Sequence, residues 1–265
     1  MNDIVNLEIS NHIATVTLNR PEKKNALSKD MFNAISLVGE NLKREKSVRV
    51  IILTGAGSDF CSGLDTSTFS EWATDFGQVR NDLTSRPVGE DANWFQKPCY
   101  VWQEIEVPVI AAIKGVAFGG GIQLALAADF RIAQPNSQFS IMESKWGIIP
   151  DLGITQNLPK LTRADVAKEL IMTGRIFDGT EALDLGLITK VNKDPLGAAN
   201  EFAKLLIGKS PDVLKGAKKL IEQSWVAPNG KGLEIESDIQ SRIMGYENNM
   251  EAVMATIQKR EAKFK

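Results

Sequence analysis

An α/β core followed by a helical C-terminal segment is the fold class this sequence predicts, on three observations. Short apolar runs of strand character alternate with stretches of helical periodicity up to about residue 190. Two of those runs, residues 48–53 and 109–113, are almost unbroken in apolar residues, as strands covered on both faces must be. Beyond residue 190 helices take over, with Val191 closing a last short strand.

The elements follow in order. Residues 5–9 and 13–18 alternate apolar and polar side chains, which suits two half-buried strands joined by a turn at Ser10, Asn11 and His12. Pro21 ends the second strand, since proline cannot donate to a ladder. Ser28 is placed to cap a helix whose Met31, Ile35, Val38 and Leu42 recur at helical spacing. The apolar run 48–53 stops at Thr54 and a first glycine turn, and the run 109–113 leads to a second. Ile122, Leu124, Ala125 and Leu126 then read as a buried helix of small residues ending near Asp129, followed by short strands at 130–133 and 138–141. From Leu158 onward the chain is mostly helical, and residues 200–265 read as amphipathic helices with basic outer faces. Strand–loop–helix units recur twice, without a strong sequence repeat. Residues 66–95 are polar apart from aromatics such as Trp72, Phe76 and Trp94 and show no long period, so they form a loop or short helices beside a pocket.

Composition narrows the chemistry. Thirty-three acidic against 31 basic residues give a net charge of -2 over 265 residues, which excludes a strongly basic nucleic-acid binder. Two cysteines, Cys61 and Cys99, exclude a disulfide scaffold, and with the single His12 they leave too few soft ligands for a typical zinc site. No run approaches the roughly 20 apolar residues that span a bilayer, and the first nine residues lack the form of a signal peptide. A soluble, cytoplasmic protein without membrane insertion is the expectation.

What remains is carboxylates and backbone. Each glycine turn follows an apolar strand: Gly55-Ala56-Gly57-Ser58-Asp59-Phe60-Cys61-Ser62-Gly63-Leu64-Asp65, and Phe118-Gly119-Gly120-Gly121-Ile122-Gln123. Glycine lets backbone approach a ligand closely, and a helix start offers unpaired N–H groups. Two such turns brought together would aim two N–H groups at one oxygen, an oxyanion site in which each donor is worth roughly 3–4 kcal/mol. The alternative is that the glycines merely allow tight turns and close helix packing. Neither turn carries the Gly-Lys-Ser/Thr of a phosphate loop or the dinucleotide fingerprint, and Ser62 lacks the flanking glycines and nearby histidine of a nucleophile elbow.

In combination these motifs resemble the crotonase family of enoyl-CoA hydratases and isomerases. The two glycine segments carry the likeness, with Asn19-Arg20-Pro21-Glu22-Lys23-Lys24-Asn25-Ala26-Leu27, Ala127-Ala128-Asp129-Phe130-Arg131, Ala182-Leu183-Asp184-Leu185-Gly186 and the basic C-terminus at Lys259-Arg260, in order from about residue 4 to the end. Only residues 66–96 lack a counterpart. The resemblance implies a spiral of repeated ββα units over residues 1–195 that binds an acyl-CoA thioester. It also implies a helical region, 196–265, for assembly into a homotrimer or a dimer of trimers and for part of the coenzyme A site. Coenzyme A enters as part of the substrate, and no permanently bound cofactor or metal is implied. By matched position the oxyanion donors would be the N–H groups of Ser62 and Gly120. The coenzyme would lie along Lys23, Asn25, Ala26, Cys61, Ser62, Gly63, Leu64 and Asp65, with Lys259 either reaching its phosphates or facing solvent. Trp72, Trp94, Phe95 and Trp146 would wall the acyl pocket unless they are plain core.

The acids are the discriminating feature. Hydratases of the family carry a glutamate where this chain has Gln123, an amide that can orient water but exchanges no proton near neutral pH. The family's second glutamate matches Glu143. Eight residues on stands Asp151, where most hydratases have glycine and the family's dienoyl-CoA isomerases have aspartate; those isomerases also carry an acid in place of Gln123, so two of their three acids are matched. Asp151 after Pro150 also suits a turn, and Glu143 a helix start. Glu143, Asp151 and Gln123 together favour double-bond isomerisation of an enoyl- or dienoyl-CoA. The alternatives are an enoyl-CoA hydratase with Glu143 as its main acid/base, and a non-catalytic acyl-CoA-binding protein.

Overall fold

Asn11 and His12, with φ of 49° and 66°, reverse the chain between β1 (Val5–Ser10) and β2 (Ile13–Leu18), which pair antiparallel. The computed structural model of the chain describes residues 4–72, 74–228 and 230–265. After α1 (Lys29–Arg44) comes β3 (Val50–Gly55), and then three helices: α2 (Thr66–Trp72), α3 (Phe76–Thr84) and α4 (Lys97–Glu104). The middle of the chain holds β4 (Val109–Ile113), β5 (Val116–Phe118), α5 (Gly120–Leu126), β6 (Phe130–Ala133) and β7 (Gln138–Ser140). It continues through α6 (Leu158–Leu161), α7 (Ala164–Thr173), β8 (Phe177–Asp178), α8 (Gly179–Asp184) and β9 (Lys190–Val191). Four helices follow: α9 (Pro195–Ile207), α10 (Pro211–Ser224), α11 (Lys231–Ser241) and α12 (Glu247–Gln258). The segment 66–95 thus contains short helices, and α1 begins as expected, with Ser28 Oγ accepting the Met31 N–H at 3.2 Å.

A six-stranded sheet in the order β1-β2-β3-β4-β6-β9 is parallel beyond the first hairpin, and β5-β7-β8 form a smaller sheet. Successive parts of the chain alternate between the two. β4 lies in the large sheet and β5 in the small one, and β6 and β7 repeat the step. After β3, Cys61 makes a lone parallel bridge to Ala117 of β5, a vestige of the same step. This repeat is one of topology, and nothing in the residue types announces it.

The apolar runs of β3 and β4 are explained by cover on both sides. Ile51, Leu53, Val109, Ala111 and Ile113 face the main core with α1, α4 and α5. Val50, Ile52, Ile110 and Ala112 face a second core made with Ala199 and Ala203 of α9. The expected boundary at 195/196 therefore falls in the first turn of α9, a helix that closes the second face of the sheet and belongs to the core.

α10 and α11 contain no buried residue. They are tied to the core through Lys218, whose ammonium is 2.9 Å from Asp129 Oδ2 and donates to the carbonyls of Trp102 (3.1 Å) and Val107 (3.3 Å). Asp129 also accepts the Val109 N–H at 2.7 Å. The expected basic outer faces hold only in part: Lys218 turns inward, and α11 carries Glu234, Glu236 and Asp238. Lys218→Met strands the Asp129 carboxylate and two carbonyls. It should lower stability by about 3 kcal/mol in urea unfolding, because removing one partner of a largely buried pair leaves the other desolvated and unpaired.

Candidate active site

The first glycine turn leaves the C-terminal end of β3, and the second follows β5, which continues from the neighbouring parallel strand β4; the bridge between Cys61 and Ala117 of β5 sets the two side by side. Asn25 shapes the first. Fully buried and at φ 54°, it donates from Nδ2 to the carbonyls of Ala56 (3.0 Å) and Asp59 (2.8 Å), while its Oδ1 accepts the Arg20 N–H (2.9 Å). Asp59 joins the two turns. Its Oδ1 accepts the Val116 N–H at 3.0 Å, and the Phe60 N–H donates to Lys114 O at 2.8 Å. Neither role was read from the sequence, although an aspartate set among the glycines of the first turn is a signal for such a staple.

Contact between the turns is backbone on backbone. Gly63 has φ 91°, and a Cβ there would lie 2.6 Å from Phe118 O and 3.6 Å from Gly120 N. A Cβ on Gly121 would overlap the Cys61 carbonyl. Only glycine satisfies both positions. Leu27 bridges to Leu64, with its N–H on Gly63 O (2.7 Å) and its carbonyl accepting the Asp65 N–H (3.0 Å). Segments 23–27 and 61–65 therefore lie side by side, Lys23, Asn25 and Ala26 beside Cys61, Ser62, Gly63, Leu64 and Asp65. Arg20 completes the link through Asp65 (3.0 Å) and Ala26 O (2.8 Å).

One expected role is corrected here. The Ser62 N–H donates to Lys24 O at 3.0 Å, and its hydroxyl lies 3.4 Å from Lys23 O, so that amide is already spent. Among the described residues, the N–H groups of Leu64 and Gly120 have no acceptor in the chain. Gly120 opens α5, where a first-turn N–H has no partner within the helix.

The acids lie beside this pair. Glu143, 6% exposed, starts a short helical turn, and its Oε1 accepts from Gln123 Nε2 at 2.6 Å. Its Oε2 is buried with no hydrogen-bond partner among the described residues. Gln123 is equally committed at its other end, where Oε1 accepts the Leu152 N–H at 2.9 Å. Burial raises the Glu143 carboxyl above the usual range, and the negative charge of Asp151 adds to that, while the Gln123 amide opposes it. Burial likewise raises Asp151. Cys99 of α4 feels both carboxylates and the Cys61 thiol; burial first, then these charges, push its own thiol up.

The aromatics divide. Trp72, Trp94 and Phe95 meet one another and Phe32 of α1 with centroids 5.0 to 6.5 Å apart; Phe95 is buried core, Trp72 packs partly buried against it, and Trp94 is 37% exposed at its edge. Trp146 stands apart on the Glu143 turn, half exposed, 5.8 Å from Phe69 of α2. Lys259 is exposed at the C-terminal cap of α12, where its N–H donates to Thr256 O at 3.3 Å.

Comparison with known proteins places this geometry. The family described as enoyl-CoA hydratase/isomerase matches residues 8–265. The chain belongs to the enoyl-CoA hydratase/isomerase family. Relatives of this family differ in their reaction: a peroxisomal Delta(3,5)-Delta(2,4)-dienoyl-CoA isomerase of Arabidopsis thaliana is 34% identical over 99% of this chain and 96% of its own length. A short-chain-enoyl-CoA hydratase of Clostridium acetobutylicum is 33% identical over 98% and 97%. The crystal structure of an enoyl-CoA hydratase from Bacillus anthracis superposes with a TM-score of 0.90 at 30% identity, covering 99% of both chains. The alternation between the two sheets is thus the crotonase fold, and the chain is an acyl-CoA enzyme of the enoyl-CoA hydratase/isomerase family.

A carboxyl raised in the folded state holds its proton longer than the unfolded chain does, so ionising it costs stability. As pH rises from the ordinary glutamate range through the raised value of Glu143, the wild type should lose stability relative to Glu143→Gln. Urea unfolding of both proteins across that window checks the sign.

Proposed function

We propose that this enzyme moves a carbon–carbon double bond in an unsaturated acyl-CoA. The observation that carries the reading is the fate of Gln123: each end of its amide is engaged within the protein, and an amide exchanges no proton near neutral pH. Asp59 and Asp65 of the first turn are engaged by the Val116 N–H and by Arg20, which leaves Glu143 and Asp151 as candidate proton carriers. Addition of water calls for a base to deprotonate it and an acid to protonate the α-carbon. A bond shift needs only that a proton leave one carbon and return at another. In this reading a carboxylate takes a proton from the carbon next to the double bond, and the electron pair moves through the chain onto the thioester oxygen. The resulting oxyanion is held by the N–H groups of Leu64 and Gly120, and the same or the other carboxyl returns the proton at the far end. Two carboxyls suit the longer shift of a 3,5-dienoyl-CoA, consistent with the isomerase among the relatives. The apposed segments 23–26 and 61–65 would hold the coenzyme, with Lys259 toward its phosphates. The exposed apolar side chains of the C-terminal helices, among them Trp225, Leu233, Tyr246 and Ile257, would be covered in a homotrimer or dimer of trimers.

Incubation with 3-enoyl-, 3,5-dienoyl- and 2-enoyl-CoA, followed by product mass and NMR, tests this directly. Unchanged mass with a displaced alkene is the expected result; rapid addition of water to the 2-enoyl thioester without isomerisation would identify a hydratase using Glu143. Glu143→Gln should lower kcat by about 10³-fold while still binding thioester, which also separates the enzyme from an inert acyl-CoA binder. In the wild type, the acidic limb of kcat should lie above the ordinary glutamate range, since burial and Asp151 both favour the protonated form.

A further inference from the structure

We infer that Gln123 is a positioning residue of this site: its carboxamide bridges Glu143 to the 151–152 turn, leaving Glu143 Oε2 as the oxygen that moves the proton and fixing it relative to Asp151. The inference rests on the isomerase reading for its choice of reaction, but the bridge itself rests on contacts. Gln123 is 1% exposed, and its orientation is set without ambiguity. A backbone N–H can only donate, so the atom facing Leu152 is the carbonyl oxygen, and the atom facing Glu143 is therefore the amide nitrogen. With Oε1 bound at 2.6 Å, Oε2 is the carboxyl oxygen left without a partner.

The bridge reaches each part of the proposed chemistry. Gln123 and Gly120 stand on one short helix, α5, so the donor for the thioester oxygen and the brace for the base move as one body. Asp151 precedes Leu152 directly, so holding the Leu152 N–H holds the second acid within one peptide unit. The Leu152 side chain in turn presses toward Gly120, where a Cβ would come within 2.9 Å of its Cδ1. A glutamate in this position would not reproduce the brace near neutral pH. Ionised, it offers no donor to Glu143; protonated, it offers one, at the cost of sharing that proton with the base. The amide is a donor at every pH. The groups that face Glu143 besides Gln123 are Asp151 from the following loop and the neutral thiol of Cys99 from α4.

Two variants test the inference, Gln123→Met, which keeps the volume and removes both hydrogen bonds, and Gln123→Glu. Each is compared with wild type in kcat, KM and their pH profiles on the thioester that the wild type turns over, and in the ¹³C NMR titration of Glu143, assigned with Glu143→Gln. In Gln123→Met, kcat should fall by about tenfold or more with KM within about twofold, because misplacement of a base acts on the chemical step. Its acidic limb and the Glu143 titration should both move to higher pH, since the amide that favours the carboxylate is gone. Gln123→Glu should recover kcat only toward low pH, where the paired carboxyls hold one proton between them. An unshifted Glu143 titration in Gln123→Met, or parallel losses in kcat, KM and melting temperature with an unmoved limb, would show a packing residue and overturn the inference. Should Gln123→Met fail to fold, a wild-type pH profile in Gln123→Glu overturns it equally. Because the Glu143 titration is independent of the product formed, a wild type that hydrates instead of isomerising would sink the reaction assignment and leave the bridge to be judged by that titration.

Discussion

Backbone lying directly on backbone, where the loop after β3 meets the start of α5, is the constraint on which the rest of this site depends. Side chains are excluded from that seam: Gly63 faces Phe118 O, and Gly121 faces the Cys61 carbonyl. Approach this close leaves the Leu64 and Gly120 amides near one another with no acceptor in the chain, on rigid supports at the end of a parallel sheet. Buried donors without partners are costly, typically by about 1–3 kcal/mol each. A protein keeps them where a ligand atom supplies the missing acceptor, and a thioester oxygen gaining negative charge is such an acceptor.

The same water-poor environment governs the acids. Burial that would make an oxyanion hole effective also opposes the ionisation of Glu143 and Asp151, and at Glu143 the Asp151 charge adds to it. Gln123 moderates this conflict. It stabilises the carboxylate form of Glu143 without adding a third charge, and it ties that residue to the turn bearing Asp151. An amide at this position therefore adds no titratable group and spans from Glu143 to the turn that carries Asp151.

Around this centre the fold spends its residues on support. The large sheet has apolar cover on both faces, one from α1, α4 and α5 and the other from α9, which holds β3 and β4, the strands that lead to the two turns, in place. Asn25 and Asp59 then hold the first turn in shape and fasten it to the second. Beyond α9, α10 is fastened to the core through Lys218 and the C-terminal end through Arg49 and Phe264 O, and these helices carry many exposed apolar side chains. Their role is consequently at the surface of the fold, while the chemistry stays with the strand ends.

Much of this was legible in the order of residues. Apolar runs of period two or of unbroken character marked β1 to β4, Ser28 marked the start of α1, and the two glycine turns, with Gln123, Glu143 and Asp151, marked the site, because local backbone preference and burial leave their trace in residue type. What the sequence did not carry is who uses which hydrogen bond. Ser62 and Leu64 sit one residue apart in the same turn, and only the placement of Lys24 O shows that the first amide is consumed and the second is free. Trp72, Trp94 and Phe95 carry the composition of a pocket wall, yet Trp72 and Trp94 meet Phe32 from a distant helix and Phe95 is buried in the core behind them. The division at 195/196 failed for a similar reason, since helical periodicity identifies α9 but not the sheet face it covers. Residue type determined which groups are able to act; contacts between segments far apart in the chain decided which of them are left unsatisfied, and so available to a substrate.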